Sequence, residues 1–184
     1  METAFKTNGV LDFVGCVRVH DVSTTFVAVD NFVENTSDNT KVKIGEESSL
    51  FGARFLARGG KVESVVAQTV LYCYKLLMGK FCPTTSDILA AIGDEAHAET
   101  ALADIYALLV KQPNGEDGIL LSKPHAFNLF FVRDIVGVLK VIIVCWWCEG
   151  WRITVGSVDG PNGYGRGHQV FLRHFVFEEP APTS

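Results

Sequence analysis

The sequence predicts an α+β domain in which an antiparallel sheet of about four to five strands, in the C-terminal part, packs against two main amphipathic helices. Three observations predict it. Apolar residues recur at helical spacing over residues 61–78 and again over 95–110. After Gly118 the repeat shortens from 3.6 to 2. Glu149-Gly150 then stands between two extended apolar runs, as a tight hairpin requires. The 184 residues suit one domain over 1–184, with 178–184 as a frayed tail.

Taken in order, residues 10–33 mix apolar and β-branched types, and 24–33 has strand composition. Residues 34–41 are polar and turn-rich. Residues 46–56 predict a short helix with Leu50, Phe51 and Phe55 on one face, ended by Gly59-Gly60. In 61–78 the stripe is Val62, Val65, Val66, Thr69, Val70, Cys73, Leu76 and Leu77, with Gly79 as a stop. Pro83 punctuates the chain, Ser86 or Thr85 caps a helix over 87–92, and Gly93 ends it. Asp94 caps the helix of 95–110, whose stripe is Ala98, Ala101, Leu102, Ile105, Tyr106 and Leu109. Strands are predicted at 119–121, 127–133, 138–148, 151–158 and 168–177, with a glycine-rich loop at 159–167.

The hairpin decides which side chains meet. Pairing Cys148 with Trp151 places Trp146 against Ile153 and Val144 against Val155, with Ile142, on a core-facing side. The other side pairs Trp147 with Arg152 and Cys145 with Thr154. It also carries Ile143 and Val141, too apolar to stay wet, so a covering layer or a partner is expected there.

Composition narrows the function classes. An apolar fraction of 48% with 20% charged residues excludes disorder. The net charge of −5 makes nucleic acid an unexpected partner. Residues 1–118 hold ten Lys and Arg against sixteen Asp and Glu, whereas 119–184 hold six against five. Five irregularly spaced cysteines do not form a secreted disulfide framework, and the first eight residues lack a signal-peptide core. The apolar run 135–148 carries Lys140 and is shorter than the roughly 20 residues a bilayer needs. The expectation is therefore a cytoplasmic chain without membrane contact, cofactor or metal.

Several residue groups invite a chemical reading. Cys145 and Cys148 form a CxxC pair, but residues three apart on a strand face opposite ways and cannot share a metal or a disulfide. Arg166, His168 and His174, with Arg173 turned away, make a basic group beside the 160–167 loop, whose backbone N–H groups could hold an anion. Thiol–base pairs could be drawn from Cys16, His20 and Asp21, or from Cys82 and His125. Asp94, Glu95, His97 and Glu99 open a helix, where acids act as cap and dipole partners rather than as a metal cluster. The aromatic-rich sheet lacks interleaved Lys and Arg, so core packing is favoured over base stacking.

The segments 26–33, 41–44 and 111–121, then Asn128-Leu-Phe-Phe-Val-Arg-Asp134 with Gly137-Val-Leu139, Gly150-Trp151, Ser157-Val158 and Gly167-His-Gln-Val-Phe171 with Arg173, occur in that order. The chain resembles, over most of its length, a family of small bacterial proteins from candidate-phyla genomes that end in a Trp-rich hairpin and a Val-Phe-Ser-Arg-Asn segment. It departs from them at Leu172 and His174. The resemblance implies one domain and a bacterial cell, and transfers no site residues.

Two functional expectations follow. The first is a non-enzymatic interaction module, binding a protein partner or a second copy through the apolar face around Trp147 and Arg152. The second is a small enzyme or ligand-binding protein for an anionic substrate, using Arg166, His168 and His174 at the 160–167 loop, with His125.

Overall fold

A computed structural model describes residues 9–77, 82–159 and 163–174. Its centre is a mixed sheet of seven strands in the order β1-β5-β9-β6-β7-β8-β3. These are β1 (Leu11–Arg18), β3 (Ile44–Glu47), β5 (Val70–Leu76), β6 (Asn128–Arg133), β7 (Leu139–Trp147), β8 (Gly150–Gly156) and β9 (Gln169–Leu172). Neighbours are antiparallel except β6 with β9 and β3 with β8. A two-stranded ribbon pairs β2 (Thr24–Val27) with β4 (Val62–Val65). The helices are short: α1 (Ala28–Asn31), α2 (Ser49–Phe51) running on as a π turn (Gly52–Leu56), α3 (Thr85–Ile92), α4 (Glu95–Ala98) and α5 (Leu102–Lys111).

This architecture corrects the predicted one. The sheet has seven strands rather than four or five, is mixed rather than antiparallel, and draws on both halves of the chain. The helix expected over 61–78 is two strands, β4 and β5, joined by a turn in which Gln68 has φ +61°. The sequence misleads there because β5 is buried on both faces: Leu71 and Cys73 enter one core, Tyr74 and Leu76 the other. A strand with two buried sides loses its alternation and reads as a continuous apolar run. The four β-branched valines, Val62, Val65, Val66 and Val70, favour the extended form.

The helix expected over 95–110 is broken into α4 and α5. Between them Thr100 donates its N–H and its hydroxyl to the Phe131 carbonyl, at 2.7 and 3.0 Å, so the chain is drawn onto β6. No strand forms at 119–121, where Leu120 is tied instead to the Gln112 side chain. Thr84, rather than Thr85 or Ser86, caps α3 in a reciprocal box with Asp87. Gly93 and Asp94 act as read, closing α3 and capping α4. The parts of expected elements at 78–79, 160–162 and 175–184 lie outside the described residues.

The sheet is covered on both sides. On one, α5, the β2–β4 ribbon, α1 and α2 bury Phe130, Phe171, Ile142, Val144, Trp151 and Ile153. Phe130 and Phe171 stack with centroids 4.9 Å apart, and Phe32 meets Phe26, Phe51 and Tyr106 at 5.2–6.1 Å. Each such pair contributes about 0.5–1.5 kcal/mol beyond area burial. On the other, α3 and α4 cover Tyr74, Leu76, Leu129, Phe131, Val141 and Val170. The apolar outer face, for which a covering layer or a partner was expected, is mostly closed from within: Val141 is buried and Ile143 half-buried.

The β7–β8 hairpin keeps its predicted faces but not its register. Trp147 pairs with Gly150, Trp146 with Trp151 and Cys145 with Arg152. The turn falls on Cys148-Glu149, with Cys148 at φ +52°, one position earlier than read. An even-numbered slip of the pairing leaves Ile142, Val144 and Trp146 on the core side. It removes the cross-strand Trp147–Arg152 and Cys145–Thr154 pairs.

Candidate functional site

The hairpin tip builds a concave surface. Trp147, Cys148, Glu149, Gly150 and Arg152 meet Thr36, Gly45 and Glu46 around a groove of about 310 Å³. Glycine makes the approach possible: a Cβ on Gly150 would lie 2.5 Å from the Gly45 nitrogen, so β3 and β8 touch backbone to backbone. A second depression of about 450 Å³ continues from it, sharing Thr36 and Glu149 and adding Ser37, Asp38, Lys43, Asn114 and Trp146.

Trp147 is 44% exposed and forms the apolar wall of this groove. The His125 ring meets it edge-on at 5.7 Å. Trp146, by contrast, lies under the 112–120 loop. Gln112 holds that loop with side-chain bonds to Glu116 and Leu120, and Gly115 sits on the Trp146 indole. Trp151 is fully buried and donates its Nε1–H to the Gln112 carbonyl at 2.8 Å.

The charges of the groove are mostly spoken for. Arg152 donates to Glu46 at 3.0 Å, and Lys43 to Asp38 at 2.8 Å, which holds the Asp38 carboxyl below its ordinary range. Glu149 has no ion-pair partner among the described residues, so the unbalanced charge at the hairpin tip is negative. Behind the groove, burial and the neighbouring Glu34 carboxylate push Glu47 up to about 7. Glu34 itself accepts the Glu47 N–H at 2.7 Å, closing the outer edge of β3.

The other residues singled out from the sequence are dispersed. Half-buried His168 stacks on Phe127 at 4.6 Å and accepts the Phe127 N–H at Nδ1, and burial lowers its pKa. Arg166 is exposed in the preceding loop. His174 stands beyond the far end of β9 from His168, beside His97. Arg166, His168 and His174 thus do not converge among the described residues. Cys16 is exposed on β1, while His20 turns to Asp104; Cys82 lies against Gly163 and His125 against Trp147. Neither thiol–base pair is assembled. All five cysteines are free thiols, Cys145 buried and Cys148 exposed in the turn.

One constellation escaped the sequence reading. Asp104, fully buried in the first turn of α5, accepts hydrogen bonds from Arg173 Nε and Nη2 at 2.7 and 3.0 Å, from His20 Nε2 at 2.9 Å and from the Ala101 N–H at 2.9 Å. Glu63 on β4 accepts the Leu102 and Ala103 N–H groups, and Lys61 pairs with Glu63 at 2.8 Å. The only sequence signal was an acid inside an apolar stripe, which is also what a helix N-terminus attracts. With every Asp104 lone pair engaged, the cluster ties α5, β9 and the β1–β2 connection together.

Comparison with known protein families, with curated proteins and with solved structures finds no match. No helix among the described residues is long and apolar enough to cross a membrane.

Proposed function

We propose that this chain is a non-enzymatic interaction module whose groove at the β7–β8 tip takes a cationic side chain, Lys or Arg, from an extended segment of a partner protein. One observation carries the reading: Trp147 is left 44% exposed beside the unpaired Glu149 carboxylate, while Phe130, Phe131, Trp151 and Phe171 of the same sheet are fully buried. A cation over an indole face is worth about 0.5–2 kcal/mol, more as water is displaced. A carboxylate at the rim steers the same charge inward. The apolar sheet face first expected to do this work is mostly covered from within, with Val141 buried and Ile143 half-buried, which favours the tip as the recognition surface.

The test is titration of the chain with Lys- and Arg-containing peptides and their acidic counterparts, read by tryptophan fluorescence, with light scattering alongside. Cationic peptides should perturb the emission and acidic ones should not. Trp147→Ala should weaken binding roughly tenfold or more, and Glu149→Gln should weaken it less, with unfolding midpoints unchanged. Equal binding by Trp147→Ala would end the proposal. A concentration-dependent dimer lost in Trp147→Ala would replace the foreign partner with a second copy.

A further inference from the structure

We infer that His97 and His174 form a two-histidine site for a borderline transition-metal ion, Zn²⁺ foremost, on the α4–β9 face of the molecule. The two residues are 77 positions apart in the sequence and come together only because α4 packs on β9. Their ring centroids lie 5.3 Å apart with planes at 71°. A zinc–imidazole bond of about 2.1 Å puts each ring centroid about 3.2 Å from the ion, and a tetrahedral angle then separates two such centroids by about 5.2 Å. The observed centroid spacing matches that separation.

The donor chemistry is set as well. Asp94 Oδ1 lies 2.7 Å from His97 Nδ1, and since a carboxylate only accepts, Nδ1 carries the proton. Nε2 is thereby left as the free donor. A carboxylate behind a metal-binding imidazole is the outer-sphere arrangement that fixes tautomer and ring orientation. Asp94 is itself fixed, because the same oxygen caps α4 through the His97 N–H at 2.8 Å.

Both histidines sit beside anchored neighbours. Arg133 on β6 donates to Glu95 at 2.9 Å and to Glu99 at 3.0 Å, clamping α4 on either side of His97. Arg173, next to His174, is held in the bidentate pair with buried Asp104. Preorganised ligands lose little freedom on binding. Both rings are exposed, so the ion has an open approach. No group of three His, Cys, Asp or Glu side chains among the described residues is arranged to chelate a metal. The two imidazoles therefore leave the remaining positions to water or to an incoming ligand.

The test is a calorimetric Zn²⁺ titration of the full chain after removal of any affinity tag. The exposed thiols compete for zinc, so the background carries Cys16→Ser, Cys82→Ser and Cys148→Ser. One ion per chain is expected. His97→Ala and His174→Ala should each weaken binding at least tenfold. Asp94→Asn should weaken it less, and ¹⁵N-detected imidazole resonances of His97 and His174 should move together on addition of Zn²⁺. Absence of saturable binding, or binding that survives both alanine substitutions, would overturn the inference. In that case the pair is an edge-to-face contact and nothing more.

Discussion

Three residues set the limits of what this molecule tolerates. A Cβ at Gly115 would fall 2.2 Å from Trp146 Cδ2, and its φ of +69° is one that other residues rarely adopt. Gly115→Ala should therefore cost about 2 kcal/mol or more, seen as a lowered denaturant midpoint. At Asp104, burial alone would raise the carboxyl pKa, but the hydrogen bonds from His20 and Arg173 outweigh it and hold the group below its ordinary 3.8. Its stabilisation is fully present above that value and is lost as pH falls through the lower, folded-state pKa. Asp104→Asn should cost about 3–5 kcal/mol near neutrality, by stranding Arg173. It should also flatten the acid end of the stability profile. Glu47 runs the other way. Its pKa is raised from 4.5 to about 7, so the folded chain takes up a proton that the unfolded chain would release. Stability should rise as pH falls from about 7 towards 4.5 and be lost as pH climbs back through 7. Glu47→Gln should remove that slope, as urea melts at several pH values would reveal.

Among the elements, α5 shows how far a helix can depend on a neighbour. Its N-cap residue is Ala101, which has no side-chain acceptor, and two of its first free N–H groups are taken by Glu63 from β4. Glu63→Ala should cost about 1–2 kcal/mol and free the start of α5, visible as faster amide exchange at Leu102 and Ala103. The same borrowing explains which elements were legible in the sequence. The Asp94 cap over His97 is local, within one turn of chain, and was legible, whereas at α3 the polar run announced a cap but Thr84 supplies it rather than Thr85 or Ser86. β6, β7 and β8 were legible because their β-branched and aromatic runs are bounded by turns. β5 was not, since its two-sided burial erased the alternation that marks a strand. The break at Thr100 was not either, because the carbonyl that causes it belongs to Phe131, thirty-one residues away. For the candidate sites, Trp147 and Arg152 were named from a cross-strand pairing that the observed register removes, and both line the groove at the hairpin tip. The His97–His174 pair and the Asp104 cluster needed the sheet order, which no local pattern carries.

The molecule as a whole is built on long-range pairing. β1 lies beside β5, β5 beside β9, and β3 joins β8 from over a hundred residues away. Chains with this much non-local strand pairing refold over milliseconds to seconds. Stopped-flow refolding followed through the buried Trp151 should show its main phase in that range, and Trp147→Ala should leave the rate unchanged.

β9, the last strand in sequence among the described residues, is inserted between β5 and β6, third in the order of the seven-stranded sheet. On a translating ribosome the two flanks, β1-β5 and β6-β7-β8-β3, therefore exist before the strand that bridges them. Until it emerges, each flank shows a naked backbone rim lined by Cys73, Tyr74, Leu129 and Phe130. A chain truncated before Gln169 would carry two such adhesive rims and no means of sealing them. Chaperone capture or rapid clearance is the expected fate of such a fragment.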